Sequence, residues 1–153
     1  MFEIGSKDQD KITVTTKSTA VTFDIAEETL DAGLEVGPIK GPGEFEIGDV
    51  SVRGVAVKGV GDEMKTVYDA EVGGVHIVII GGNETGLDEL GMPDILCTSS
   101  VKAVKELQPK LVVSMGNVDG MVTELKLTAR TEKKLKVKRA EDLPASPEVV
   151  VLN

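Results

Sequence analysis

Alternation of apolar and polar positions dominates the first half of the chain. Residues 11–16 read Lys-Ile-Thr-Val-Thr-Thr, rich in β-branched side chains, which predicts a strand with one face in water. Residues 20–24 repeat the pattern, and Lys17-Ser18-Thr19 supplies a turn between the two. Residues 27–34 are acidic and lack a clean period. Gly33, Gly37, Pro38, Gly41, Pro42 and Gly43 then mark a loop. Residues 45–47 and 50–57 predict two strands joined at Gly48-Asp49. Residues 66–72 and 75–80 predict another pair, joined at Gly73-Gly74, where both turn positions tolerate positive φ. The last of these strands is apolar at consecutive positions, broken only by His76, which predicts burial on both faces.

The pattern changes in the second half. Residues 95–98 predict a short buried strand. Residues 99–107 predict a helix with Ser99 as N-cap, Val101, Val104 and Leu107 on one stripe, and Pro109 as the stop. Residues 111–115 are again a continuous apolar strand, so residues 95–115 predict a parallel, right-handed strand–helix–strand unit. Asp119 is placed to cap a second helix over 121–127. Residues 135–138 and 148–152 predict closing strands, separated by Pro144 and Pro147. The chain has no internal repeat, and its 153 residues suit one domain.

Composition narrows the function classes. The net charge of −9 repels phosphate backbones, and aromatics at 3% leave few stacking platforms, so no nucleic-acid partner is expected. The start, Met1-Phe2-Glu3-Ile4, lacks the basic and apolar regions of a signal peptide, and the lone Cys97 cannot form an intramolecular disulfide, which together predict a cytoplasmic protein. No apolar run approaches the roughly 20 residues of a membrane helix, so no membrane partner is expected. A single histidine excludes poly-His zinc sites and weakens any Ser-His-Asp or Cys-His arrangement.

Four stretches, in order, resemble the metallo-β-lactamase superfamily, in its simple Zn-dependent hydrolase-like branch. The first is Gly41-Pro42-Gly43-Glu44-Phe45-Glu46-Ile47 with Val50-Ser51-Val52-Arg53-Gly54-Val55 after it. The second is Thr66-Val67-Tyr68, then Gly74-Val75-His76-Ile77 and Gly81-Gly82. The third is Leu107-Gln108-Pro109-Lys110-Leu111-Val112-Val113. The fourth runs from Lys134-Leu135-Lys136-Val137 through Asp142-Leu143-Pro144 to Val149-Val150-Val151-Leu152. The resemblance implies an α/β fold, a β-rich layered sandwich of two sheets with helices outside, in a truncated metallo-β-lactamase-like form.

The same resemblance implies a loss of chemistry. Family enzymes hold one or two metals with a His-x-His-x-Asp-His motif after the early strands, but only residues 25–40 lie between Asp24 and Gly41, and none is His. A second family ligand falls near Gly59. In the His-Leu-Gly-Asp motif, Ile79 stands for the His and Gly82 for the bridging Asp, and the final ligand His is Gly116. Glycine supplies no side-chain donor, whereas a hydrolytic metal site needs three or four ligands at close to 2 Å. A metal-free, non-catalytic protein with a structural or interaction role is therefore expected, with no cofactor.

The alternative is a small-molecule or metal-ion binding module in a remnant cleft around Asp24, Gly59, Gly82, Asn83, Glu84, Gly116 and Asn117. A residual hydrolase would need carboxylates such as Asp62, Glu63 and Glu84 to converge. Residues 81–86, Gly-Gly-Asn-Glu-Thr-Gly, can be read as a phosphate-cradling nest, but they lack the Lys-Ser/Thr of a P-loop, and a plain turn is the preferred reading. Asp24 reads as a turn or capping residue, Cys97 as an inert core thiol, and His76 as a satisfied strand residue with no visible partner. Lys134, Lys136 and Lys138 fall on one face of a strand, which reads as a solvated edge. Shortening of residues 25–40 is expected to leave Val112 and Met115, or Val113, facing water, and so to drive a homo-oligomer, unless residues 25–39 fold back over the gap.

Overall fold

The computed structural model describes residues 1–33, 37–82 and 84–153. Two sheets lie face to face. The first contains β1 (Phe2–Asp8), β2 (Lys11–Thr15), β3 (Ala20–Asp24), β4 (Thr29–Asp31), β5 (Ile39–Lys40) and β13 (Leu135–Val137). They are antiparallel, in the order β13-β1-β2-β3-β4-β5. The second contains β6 (Gly43–Ile47), β7 (Val50–Lys58), β8 (Met64–Val72), β9 (Val75–Ile79), β10 (Ile95–Thr98), β11 (Leu111–Ser114), β12 (Ala129–Glu132) and β14 (Glu148–Leu152), ordered β12-β14-β11-β10-β9-β8-β7-β6. Its β6–β9 part is an antiparallel meander, and its β9, β10, β11, β14 and β12 run parallel.

Strict alternation builds the first sheet. Phe2, Ile4, Ile12, Val14, Val21, Phe23, Leu30, Leu135 and Val137 point inward into the layer between the sheets. The other face carries Lys11, Thr13, Thr15, Thr22, Asp24 and Thr29, with the Thr13 and Thr22 hydroxyls 2.9 Å apart across the strands. The second sheet is buried on both faces where its strands run parallel. Ile77, Ile79, Ile95, Cys97, Leu111 and Val113 face the first sheet. Val78, Ile80, Leu96, Val112 and Val149 face the helices α1 (Val101–Leu107) and α2 (Val118–Leu125) and a 3-10 turn at Leu87–Leu90.

The strand–helix–strand unit forms as expected, with β10 and β11 parallel around α1. Its cap is one residue later than expected. Ser100, not Ser99, accepts the Ala103 amide at 3.1 Å. The second helix starts at Val118, after Asn117 in the left-handed region, and Asp119 lies in its first turn instead of capping it. The acidic stretch after Asp24 contains β4, and the Gly/Pro-rich loop contains β5. Residues 34–36 of those stretches lie outside the described residues.

The expected exposed apolar face does not exist. Val112 and Val113 are 0% exposed and Met115 is 7% exposed, all covered within this chain. The covers are internal: Val112 faces α1 and α2, while Val113 and Met115 face the layer between the sheets, a layer the link also packs against. Leu30 is fully buried, Ile25, Ala32 and Ile39 pack against the inter-sheet core, and Glu28 reaches across to accept the Thr66 amide of β8. These three side chains are therefore not the surface on which copies of the chain would close.

The β8–β9 turn at Gly73-Gly74 has φ of 55° and 81°, both in the left-handed region. Replacing both with Val is expected to destabilise the chain by about 2–4 kcal/mol, since each β-branched residue there meets its own carbonyl. Chemical denaturation of the double variant measures this, and an unchanged midpoint would contradict it.

Candidate functional site

The C-terminal ends of parallel strands are where open α/β sheets place ligands. Here the rim consists of Gly81 and Gly82 after β9, Ser99 after β10, and Gly116 and Asn117 after β11. Gly82 lies against the Ser99 hydroxyl, Gly116 approaches the Ser99 Cβ, and the Asn117 side-chain amide donates to the Ser99 carbonyl at 3.4 Å. The Ser114 hydroxyl donates to the Gly116 carbonyl at 2.8 Å. The structure thus gathers Gly82, Gly116 and Asn117 around Ser99, through backbone and amide groups.

The other residues of the expected cleft have separate tasks. The Glu84 carboxylate lies over Gly81. Gly59 donates its amide to the Glu63 carbonyl at 2.8 Å, beside a bridge between Lys58 and Thr85. Asp24 points away from the inter-sheet layer. Its Oδ1 accepts the Ala26 and Glu27 amides, each at 3.0 Å, and its Oδ2 lies 4.0 Å from Lys11. That is the expected turn-forming role. Asn83 lies outside the described residues.

The donor set does not fit a metal. Gly59, Gly82 and Gly116 bring no side chain, Asp24 is engaged by two amides, and among the described residues no three His, Cys, Asp or Glu side chains come together so as to hold an ion. Asp62, Glu63 and Glu84 therefore do not converge in the way a residual hydrolase requires.

Two buried titratable groups sit between the sheets. Burial pushes the Cys97 thiol up to about 12, so at neutral pH it is an inert, protonated core residue, as expected. Burial, with the nearby Glu28 and Asp24 carboxylates, pushes the Tyr68 phenol up to about 12. Tyr68 packs on Phe23 with ring centroids 5.3 Å apart, and among the described residues its hydroxyl meets no hydrogen-bond partner.

The strongest cluster of charge lies elsewhere, on the outer face of the second sheet. Arg53 on β7, Asp69 on β8 and His76 on β9 line an open groove of about 790 Å³ with Glu44, Glu46 and Glu71. Arg53 Nη2 donates to Asp69 Oδ2 at 2.7 Å, and His76 Nε2 meets Asp69 Oδ1 at 2.5 Å. Burial works to raise the Asp69 pKa, but the hydrogen bonds and charges of His76 and Arg53 outweigh it and hold the carboxyl below its usual value. The hydrogen bond to Asp69 raises the His76 pKa against the opposing effect of burial. His76 is thus not partnerless, as the sequence reading had it. A two-residue turn at Gly73-Gly74 fixes Glu71 opposite His76 and puts Asp69 diagonal to it, so the pair was recoverable from hairpin register.

With this geometry in view, the fold can be compared with known proteins. A chain from Thermotoga maritima, described as a "putative zn-dependent hydrolase of the metallo-beta-lactamase superfamily", superposes with a TM-score of 0.71 over 99% of this chain and 98% of its own, at 17% identity. At that identity the likeness is one of fold, and this chain has the metallo-β-lactamase-like architecture its sequence implied. Scans against protein-family models and curated sequences return no match. No helix is long and apolar enough to cross a membrane, among the described residues.

Tyr68→Phe is expected to leave the fold intact and to raise its stability by about 1 kcal/mol, because a buried hydroxyl without a partner costs desolvation that Phe does not incur. Urea denaturation checks the sign. A clear loss of stability would show that the hydroxyl has a partner.

Proposed function

We propose that this chain is a non-catalytic, metal-free protein of metallo-β-lactamase-like fold, with a structural or interaction role. The observation that carries this reading is the composition of the rim. At the ends of β9 and β11, where the resemblance implies metal ligands, the chain has Gly82 and Gly116, whose only polar groups are those of the backbone. Asp24, the one matching carboxylate, is held in a turn by the amides of Ala26 and Glu27. A hydrolytic centre needs converging side-chain donors and a polarised water, and this rim offers hydrogen-bonding backbone instead.

The charge at one edge of the first sheet is compatible with an interaction role. Lys136 stands on the edge strand β13, flanked by Lys133, Lys134, Lys138 and Arg139, of which Lys134 pairs with Glu3 and Arg139 with Glu141 and Asp142, in a chain whose net charge is −9. Leu135 and Val137 anchor β13 by pointing into the core.

Purified without chelator, the protein is expected to contain well under one equivalent of zinc or iron per chain by elemental analysis. A full equivalent that disappears in Asp24→Ala or Glu84→Gln would overturn the reading.

A further inference from the structure

The β7–β8 hairpin runs past the end of β9. Tyr68 pairs with Ile79, the last residue of β9, and the hairpin continues to Lys58 opposite Met64. Its tip, residues 59–64, reads Gly-Val-Gly-Asp-Glu-Met and belongs to neither apolar core. Val60 is 67% exposed and Met64 57% exposed. The tip is nevertheless shaped in advance. The Gly59 amide donates to the Glu63 carbonyl at 2.8 Å, Gly61 has a φ of 69°, and the Thr85 amide fixes the base by donating to the Lys58 carbonyl at 2.8 Å. Two neighbouring apolar side chains held in water on an ordered hairpin form a finger that loses little freedom on docking.

An apolar groove of about 320 Å³ lies at the opposite end of the second sheet. Val104 and Pro109 line it from the end of α1, Leu125 and Leu127 from the end of α2, and Pro147 from just before β14. Leu125 and Leu127 are only partly buried, so apolar surface there stays in water. Lys105 also lines the groove, and Lys126 stands exposed between the two leucines. Neither lysine makes an ion pair among the described residues, and neither does Asp62 or Glu63 at the finger's tip. Glu106, also on α1, is already paired with Lys102 at 3.9 Å. Lys58 and Lys65 flank the finger at its base and Glu124 lies in the last turn of α2, so the charge match is between fingertip and groove margin, not between whole elements.

We propose that this groove receives the 59–64 finger of a second copy of the chain, with Val60 and Met64 covering Leu125 and Leu127 while Asp62 and Glu63 meet Lys105 and Lys126.

The inference rests on the interaction role proposed above and names its partner. A chain cannot fill its own groove, because the finger stands where the parallel strands end and the groove where β11 and β14 begin. Each copy offers one finger and one groove, so two copies related by a two-fold axis satisfy both at once. One finger in one groove is small beside the roughly 1,200–2,000 Å² of a stable interface, so the association is expected to be weak and to depend on concentration.

The experiment measures the mass of the intact chain in solution by sedimentation, at low salt, from micromolar to millimolar concentration. The expected result is a mass that rises from one chain towards two. Val60→Ser with Met64→Ser, two exposed positions, is expected to weaken association at least tenfold. Two charge reversals are then compared: Asp62→Lys with Glu63→Lys in the finger, and Lys105→Glu with Lys126→Glu at the groove. Each alone sets like charges against each other at both contacts and is expected to be monomeric. Mixed in equal amounts, they restore opposite charges at both contacts, and association is expected to return. A single-chain mass at every concentration would overturn the proposal, as would association unchanged in the serine variant or no recovery on mixing. Should the groove variant not fold, the serine variant and the finger reversal still decide it, since association that survives both cannot use this finger. A monomeric chain would leave the metal-free reading intact, because elemental analysis tests that separately.

Discussion

Ile77, Ile79, Ile95, Cys97, Leu111 and Val113 face one way, and Val78, Ile80, Leu96 and Val112 face the other. That double burial of the parallel strands is the constraint the rest of the structure has to serve. Each fully buried aliphatic side chain contributes roughly 1.5–3 kcal/mol relative to exposure, but only if something covers it on both sides. The first sheet covers the inner side, and it does so with one apolar face and one threonine-rich face, as suits an antiparallel sheet bordering water. Two short helices and the 3-10 turn at Leu87–Leu90 cover the outer side.

Cover on this scale requires fasteners where strands end, and the chain places short polar ones there. Thr16 Oγ1 donates to Asp49 Oδ1 at 2.6 Å, tying the β2–β3 turn of one sheet to the β6–β7 turn of the other. The Thr16 hydrogen bond is the main cause holding the Asp49 carboxyl below its usual value. At the next corner Glu28, itself at a φ of 56°, accepts the Thr66 amide. A non-glycine residue in that region is strained, and it persists because Leu30 behind it is fully buried and the bond ahead of it spans the sheets. The described parts of the link between Asp24 and Gly41, residues 25–33 and 37–40, pack on the inter-sheet core through Ile25, Leu30, Ala32 and Ile39.

The sequence was legible where side-chain period coincided with local turn chemistry. Alternation at 11–16 and 20–24 gave β2 and β3 to within a residue, and Gly73-Gly74 gave the β8–β9 hairpin. It was illegible where pairing alone makes a strand. Thr29–Asp31 and Ile39–Lys40 are too short to show a period, and they become strands because Thr22 pairs with Asp31 and Thr29 with Lys40. Ala129–Glu132 has exposed residues at three positions, so no apolar signal exists, and parallel pairing with β14 defines it. At the site, the glycine rim and the turn role of Asp24 were readable from residue identity. The Asp69–His76 contact was not, because His76 was weighed by its own strand, while its partner lies one strand away and two residues along.

The contrast between the two polar regions bears on what this fold can do. At the ends of β9, β10 and β11, where a sandwich of this kind has room for converging side chains, the groups that meet are glycines, a serine carbonyl and an asparagine amide. On the outer face, the chain holds its one histidine and a half-buried carboxylate at ion-pair distance. Within the His–Asp pair, Nε2 of His76 faces Asp69, which orients the ring. The same carboxylate also binds Arg53, whose second hydrogen bond ends on the Glu89 carbonyl. At this place charge holds the chain to itself, beside the apolar layer that Leu87 and Leu90 enter between the second sheet and its helices.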